Sequence, residues 1–188
     1  QEELIQHYET IADASPLPII LYNIPANTQL NIEPTTVARL AKHPNIIGMK
    51  DSSGHLDQME TYLALVKKET FDVLVGSDSR ILKALQLGAT GAVAATSNVL
   101  TKTDVGIYEA FLADDIEKAE LLQESINAFR GVLKLGSVPA VLKEALNMIQ
   151  LPVGKPCLPV QPVINTEDRA KIREVLVSYQ ESEGFEVK

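Results

Sequence analysis

The chain has 188 residues and a net charge of −8, from 17 basic and 25 acidic side chains. This length suffices for one well-packed core, with a small appended subdomain at most. The negative charge argues against nucleic acid and anionic membrane surfaces as partners. No apolar run approaches the ~20 residues that span a bilayer, and no signal peptide is visible.

The cysteine and histidine content narrows the possible sites further. Cys157 is the single cysteine, so an internal disulfide is impossible and a reducing, cytoplasmic location is expected. His7, His43 and His55 lack the spacing of metal ligands, so we expect no metal site.

Apolar periodicity predicts alternating helices and strands through the first hundred residues. Helices are expected at 1–14, 33–42, 56–68 and 79–87, and strands at 19–24, 46–50, 71–75 and 91–95. This alternation predicts a parallel sheet of right-handed βαβ units, an α/β fold. Beyond residue 100 the pattern predicts helices at 104–112, 115–135, 138–149 and 166–181, with a proline-rich connector at 152–162.

The stretch from Ile46 to Ser53 carries the strongest chemical signal. A short apolar strand ends in Lys50, with Ile46, Gly48 and Lys50 expected on one face and Ile47 and Met49 on the other. An amine with little water around it is kept neutral and can attack a carbonyl to form a Schiff base. The alternative is a lysine at a strand end with its ammonium group in solvent.

Polar residues end all four predicted strands, and such ends meet in one crevice of an α/β fold. They are Tyr22-Asn23, Lys50-Asp51-Ser52-Ser53, Ser77-Asp78 and Thr96-Ser97-Asn98. Tyr22 and Lys50 end successive strands, about 4.8 Å apart, and a phenol beside an amine is a suitable acid/base partner. The alternative is helix capping, which is expected for Ser52, Ser53 and Ser79 and is as plausible for Asp78 as contact with a substrate hydroxyl.

Five segments resemble the dihydrodipicolinate synthase/N-acetylneuraminate lyase family of Schiff-base class I aldolases. They are Tyr-Asn-Ile-Pro at 22–25, Gly-Met-Lys-Asp-Ser-Ser-Gly at 48–54, Gly-Ser-Asp at 76–78, Gly-Ala-Val-Ala-Ala-Thr-Ser-Asn at 91–98 and Pro-Cys-Leu-Pro at 156–159. The resemblance implies a (β/α)₈ TIM barrel. Residues 1–114 would be its last four β/α units, from helix 4 to helix 8, and residues 115–188 a helical C-terminal extension.

The resemblance also implies roles for individual residues. Lys50 would form the Schiff base with pyruvate, Tyr22 would shuttle protons, and Gly76 and Val93 would contact pyruvate, the latter through its main chain. Further substrate-binding positions are expected at Asn27, Thr28, Ser77, Asp78 and Ser97. No metal or organic cofactor is implied, because the covalent intermediate is the lysine–pyruvate Schiff base. The partners implied are a small keto acid and further copies of the parent, as a homotetramer or homodimer.

Two parts of the family's site have no counterpart here. The Gly-Thr-Thr-Gly-Glu loop that binds the pyruvate carboxylate, and the second tyrosine of the proton relay, fall upstream of Gln1. We therefore expect a half barrel, about three fifths of a family member, that lacks its N-terminal half. Its interior face, with Ile20, Ile46, Val75 and Val93, would be uncovered, and the chain alone would not persist as a soluble active monomer.

The residues expected around the Schiff base indicate which substrate the family member would prefer. Dihydrodipicolinate synthases usually place an arginine where this chain has Asn27, so a second carboxylate would not be gripped by an ion pair. Residues 25–28 resemble 4-hydroxy-2-oxoglutarate aldolases, and residues 76–78 and 93–98 resemble 2-keto-3-deoxygluconate aldolases. The main expectation is an aldolase that cleaves such a keto acid to pyruvate and an aldehyde.

Three alternatives remain open. The first is a 4-hydroxy-tetrahydrodipicolinate synthase, which condenses pyruvate with aspartate semialdehyde. The second is a truncated, inactive half-barrel scaffold, and the third is an open four-stranded α/β domain with an unrelated site. Retention of both Tyr22 and Lys50 argues against a purely structural parent protein.

Overall fold

The computed structural model describes residues 1–67 and 70–188, and it divides into two compact units, residues 1–93 and 94–188. The described part of the first unit alternates helices with strands. In chain order these are α1 (Glu2–Ala14), β1 (Ile19–Asn23), α2 (Pro25–Thr28), α3 (Pro34–Leu40), β2 (Ile46–Asp51), α4 (Leu56–Val66), β3 (Asp72–Val75), α5 (Ile81–Leu87) and β4 (Gly91–Ala92). Lys68, the expected end of α4, lies outside the described residues.

The four strands form one parallel sheet in the order β1-β2-β3-β4, which confirms the α/β prediction. The ladder continues past the strand ends. Ser52 N donates to Asn23 O at 2.8 Å, Gly76 N to Asp51 O at 2.7 Å, and Val93 N to Val75 O at 2.9 Å. These bonds fix the main chain just beyond the carboxyl ends of the strands, where α/β sites are built.

The two faces of this sheet differ in burial. Leu21, Met49 and Val73 are fully buried on the face that the helices cover. On the other face Ile20 is 51% exposed and Val93 49%. This second face is open in the described structure.

Ile46 and Val75 were expected on the open face, and that prediction is wrong. Each is only 2% exposed. The register between β1 and β2 is irregular, since Ile19 pairs with Ile46 but Ile20 pairs with Gly48. The extra residue, Ile47, shifts the alternation by one position. Val75 lies in register with Asp51, on the buried side, and it is Leu74 that lies in register with Lys50.

Local chemistry explains where several elements begin and end. Pro34 opens α3 at a position where the missing N–H costs nothing, and Gly88 ends α5 in the left-handed conformation, with φ of 105°. The expected serine caps are wrong. His55 precedes α4 without a capping bond, and Ser79 lies within a 3₁₀ turn, Asp78–Arg80, that Ser77 precedes without a capping bond.

The second unit is helical in its described structure. It comprises a 3₁₀ turn (Thr96–Asn98), α6 (Thr101–Leu112), α7 (Ile116–Ser125), α8 (Asn127–Val132), a 3₁₀ turn (Leu133–Leu135), α9 (Val138–Met148) and α10 (Thr166–Glu183). Its core includes Phe129, Val141 and Leu176, all fully buried. Glu183 at the end of α10 accepts hydrogen bonds from Lys102 N and Thr103 N, so it satisfies the first turn of α6.

The division between the two units falls between residues 93 and 94. The boundary at residue 114 that the resemblance implies refers to a complete barrel, and it stays a prediction. Across the described residues, no helix combines the length and the apolarity needed to cross a membrane.

Candidate active site

Tyr22 and Lys50 lie side by side at the carboxyl ends of β1 and β2. They are register partners in the parallel ladder, so both side chains leave the same face of the sheet. Lys50 Nζ lies 3.4 Å from the Tyr22 hydroxyl and 4.4 Å from the centre of its ring. Tyr22 is 44% exposed, and Lys50 is partly buried beside it. A primary amine and a phenol thus share one accessible position, as the sequence predicted.

Gly76 borders this pair just beyond the end of β3. A β-carbon at residue 76 would lie 2.9 Å from Lys50 Cε and 1.9 Å from Ser52 Oγ. Real β-carbons do not approach that closely, so only glycine leaves Lys50 and Ser52 their present positions.

A buried polar network lies on the opposite face of the sheet, directly beneath this pair. Asn23 and Asp51, which follow Tyr22 and Lys50, are 1% and 2% exposed. Asn23 Nδ2 donates to Asp51 Oδ1 at 2.8 Å, and Ser53 Oγ donates to Asp51 Oδ2 at 2.7 Å. Ser53 therefore holds Asp51 instead of capping α4. The carboxyl ends of β1 and β2 are joined by side chains as well as by main chain.

Tyr62 of α4 completes the network and was not predicted as a site residue. It is fully buried, its hydroxyl donates to Ile32 O at 2.5 Å, and it accepts from Asn23 Nδ2 at 3.3 Å. Burial, and to a lesser degree the nearby charge of Asp51, raise the pKa of the Tyr62 phenol above its ordinary value. The helical spacing of Met59, Tyr62 and Val66, which are all buried, was the sequence signal for its position.

Asn27 and Thr28 lie on α2, a four-residue helix that was not predicted and that follows β1 directly. Both are exposed. The Thr28 hydroxyl donates to Ile24 O at 3.1 Å and Leu30 O at 3.0 Å, so it holds the loop in shape. The amide of Asn27 carries no charge, which leaves hydrogen bonding as its way of binding a substrate.

The remaining predicted residues are Ser77, Asp78 and Val93 in the first unit and Ser97 in the second. Ser77 and Asp78 follow β3, where Ser77 Oγ lies 3.3 Å from Ser79 Oγ and Asp78 is 9% exposed. Val93 is the last residue of the first unit, and its N–H donates to Val75 O at 2.9 Å. Ser97 belongs to the second unit, where its hydroxyl donates to Ala94 O at 2.7 Å.

The described residues contain no group of three His, Cys, Asp or Glu side chains placed to hold a metal ion. The chemistry that the assembled groups can perform is that of a nucleophilic amine with an adjacent proton donor and acceptor. An amine and a proton-transferring group are the two kinds of group that imine formation uses, because water must be expelled from a carbinolamine.

Comparison with known proteins agrees with this description. The sequence profile of the Dihydrodipicolinate synthetase family matches residues 1–178. The 4-hydroxy-tetrahydrodipicolinate synthase of Methanoculleus marisnigri is 34% identical over 179 residues, which cover 94% of this chain and 60% of that protein. That of Caldicellulosiruptor bescii is 36% identical over 179 residues, covering 95% and 60%.

Solved structures give the same result. Dihydrodipicolinate synthase from Bacillus anthracis superposes with a TM-score of 0.88 at 32% identity, covering 94% of this chain and 60% of that one. A prophage protein of Escherichia coli K12 from the same family, solved in complex with pyruvate, gives 0.87 at 29% identity, covering 95% and 61%. The chain spans about three fifths of the length of these proteins. By its sequence and by its fold, the chain belongs to the dihydrodipicolinate synthetase family.

Proposed function

We propose that this chain carries the Schiff-base half of a pyruvate-dependent lyase of the dihydrodipicolinate synthetase family. The observation that carries the proposal is the 3.4 Å separation of Lys50 Nζ and the Tyr22 hydroxyl on the open face of the sheet. The Nζ lone pair attacks the keto carbon of pyruvate and forms a carbinolamine. The Tyr22 phenol passes a proton to the departing hydroxyl, water leaves, and an iminium remains on Lys50.

The next steps use the same two groups. The Tyr22 phenolate left by that step takes a proton from the methyl carbon, which converts the iminium to an enamine. The enamine carbon attacks an aldehyde to form a carbon–carbon bond, and the aldehyde oxygen takes the proton from the Tyr22 phenol. Hydrolysis of the iminium product returns Lys50 to the free amine. The same reaction steps in reverse cleave a hydroxy keto acid to an aldehyde and pyruvate.

The open face supports the further proposal of an eight-stranded barrel. Four parallel strands with β1 and β4 at the edges are half of what closure needs, and family relatives are longer than this chain by about two fifths of their length. The missing strands would cover Ile20, Val93 and the Tyr22–Lys50 pair. They would also supply the loop that holds the pyruvate carboxylate, so the chain by itself should not turn over substrate.

For the reaction itself, the named relatives favour condensation of pyruvate with aspartate semialdehyde. The two relatives compared above are both named 4-hydroxy-tetrahydrodipicolinate synthase, and each is at least 34% identical to this chain. We therefore place the condensation ahead of the aldolase reaction that the sequence motifs suggested.

Aldol cleavage remains the second candidate because of Asn27. That residue is exposed on α2 and neutral, where the biosynthetic enzymes usually offer an arginine to the semialdehyde carboxylate. Without an ion pair, this loop is better suited to a polyhydroxylated or uncharged aldehyde portion.

Steady-state kinetics decide between the two. In the protein that carries this chain, kcat/KM is measured for condensation with aspartate semialdehyde and for cleavage of 2-keto-3-deoxygluconate and 4-hydroxy-2-oxoglutarate. We expect the condensation to be faster, and faster cleavage would reverse the order of the candidates. Lys50→Arg serves as the matched control, because an arginine stays protonated and should abolish either reaction.

A further inference from the structure

Asn23 touches two parts of the polar network beneath the site, Asp51 at the end of β2 and residues 31 and 32 in the segment that returns from α2. Its carboxamide oxygen accepts from Ile32 N at 3.0 Å. Its Nδ2 donates to Asp51 Oδ1 at 2.8 Å and to Asn31 Oδ1 at 2.9 Å. One amide thus ties the end of β1 both to the end of β2 and to the segment that returns from α2.

The bond to Asp51 acts on the Schiff-base pair. Asn23 and Asp51 are register partners, as are Tyr22 and Lys50 one residue earlier. Because consecutive strand residues share a rigid main chain, a side-chain bond across one pair fixes the approach of the pair beside it. The 3.4 Å separation between the amine and the phenol is therefore held from the buried face.

The bonds from Asn23 to Ile32 and Asn31 hold the loop that begins at Pro25. Asn31 and Gln58 exchange a pair of amide hydrogen bonds of 2.8 and 3.1 Å, which anchors the returning segment to α4. Tyr62 holds Ile32 O from the same helix. This segment closes the loop that begins at Pro25 and carries Asn27, so its anchoring sets where Asn27 meets a substrate.

Stability alone does not call for so many polar groups at this depth. An apolar set of the same shape would fill the space at little or no loss, whereas a polar set must be fully paired. What hydrogen bonds add is direction: they fix relative positions to a few tenths of an ångström, which catalytic groups require.

We propose that Asn23 is a positioning residue with two separable effects, and this inference rests on the proposed function. Through Asp51 it aligns Lys50 with Tyr22 for imine formation with pyruvate. Through Asn31 and Ile32 it holds the α2 loop for binding of the second substrate. Asn23 itself touches no reacting atom.

The first part of the test exchanges the side chains at positions 23 and 51, which are joined by a hydrogen bond. Asn23→Asp faces two carboxylates toward each other, and we expect the rate of borohydride-trapped pyruvate adduct formation to fall at least tenfold. The double variant Asn23→Asp with Asp51→Asn restores a donor opposite an acceptor at unchanged volume, since the Asn31 and Gln58 amides can turn over to match. We expect it to return to within about threefold of the wild-type rate.

The second part of the test removes only the hydrogen bonds that anchor Asn31 to α4. Gln58 is partly buried at the start of α4, so Gln58→Ala should fold. We expect pyruvate trapping to proceed at the wild-type rate while KM for the aldehyde substrate rises at least fivefold. A residue that served stability alone would not separate the two substrates in this way.

The outcomes are distinct from one another. If the wild-type protein forms no adduct on Lys50, the proposed function fails and the inference falls with it. If the adduct forms but Asn23→Asp traps pyruvate at the wild-type rate, or the folded double variant stays as slow as the single one, the alignment role is wrong. Should Asn23→Asp fail to fold, Gln58→Ala still decides, because an unchanged aldehyde KM overturns the loop role.

Discussion

Replacing Gly76 by alanine is a sharp test of how the lysine is placed. The added β-carbon would lie 1.9 Å from Ser52 Oγ, 3.0 Å from Ser52 Cβ and 2.9 Å from Lys50 Cε. Rotation of Ser52 can relieve the first contact. The other two require the lysine and the Ser52 main chain to withdraw by about half an ångström before reaching an ordinary contact near 3.4 Å.

Because Cε is bonded to Nζ, that withdrawal moves the reactive amine away from its position beside the Tyr22 hydroxyl. A misplacement of about 1 Å costs about 100-fold in rate, so we expect kcat/KM to fall by about 10- to 100-fold. The cost in stability should be smaller, about 1–3 kcal/mol, as for other overpacked positions.

The assay compares Gly76→Ala with Gly91→Ala in the protein that carries this chain. Gly91 lies in register with Leu74, in the row of Lys50, but its added β-carbon meets only the flexible end of Leu74, at 3.3 Å. We expect Gly91→Ala to retain activity within about threefold. Equal activity of the two variants, with both folded, would refute the steric argument.

Three further predictions concern the network, the loop and the isolated chain. Because the pKa of Tyr62 is raised, above about pH 10 its phenol stays neutral in the folded state but ionises in the unfolded state. The contribution of Tyr62 to the free energy of unfolding should therefore be constant below about pH 10 and fall above it, by up to about 1.4 kcal/mol per pH unit. Urea unfolding between pH 8 and 11 should show this fall, and Tyr62→Phe should reduce it; an equal fall in both proteins would contradict the assignment. Asn27→Arg should lower KM for aspartate semialdehyde by about tenfold, the value of one added carboxylate contact, and an unchanged KM would place Asn27 outside the substrate site. The 188-residue chain alone should sediment as an associated species without turnover, because Ile20 and Val93 leave an apolar face open, and an active monodisperse monomer would show that the functional unit is complete without further strands.

The parts of the fold that follow from local pattern were predictable. Apolar runs located the four strands of the described sheet, and their shared direction was enough to predict that Tyr22 lies beside Lys50. The glycine that ends α5 and the proline that opens α3 are likewise signals carried by single residues.

The strand-face error and the missed network both originate in pairing between distant segments. The extra residue at Ile47 is set by register with β1, and it turned Ile46 to the buried face although strict alternation placed that residue with Lys50. The network beneath the site joins residues far apart in sequence, such as Asn23 with Tyr62, 39 positions away. The residues of β1 alone do not predict that Asn23 contacts Tyr62.

Serine capping failed for a local reason. A capping hydroxyl accepts from an N–H of the first helical turn, whereas Ser53 Oγ accepts from His55 N at 3.2 Å and donates to the buried carboxylate of Asp51. These two bonds hold Ser53 to residues 51 and 55, and His55 takes the position that precedes α4.

The central claim is that Lys50 is the nucleophile, and one measurement tests it directly. The protein that carries this chain is incubated with pyruvate, reduced with borohydride, digested and mapped by mass spectrometry. We expect one reduced pyruvate adduct, on the peptide that contains Lys50, and no adduct in Lys50→Arg. An adduct on another lysine, or none in the wild-type protein, would contradict it.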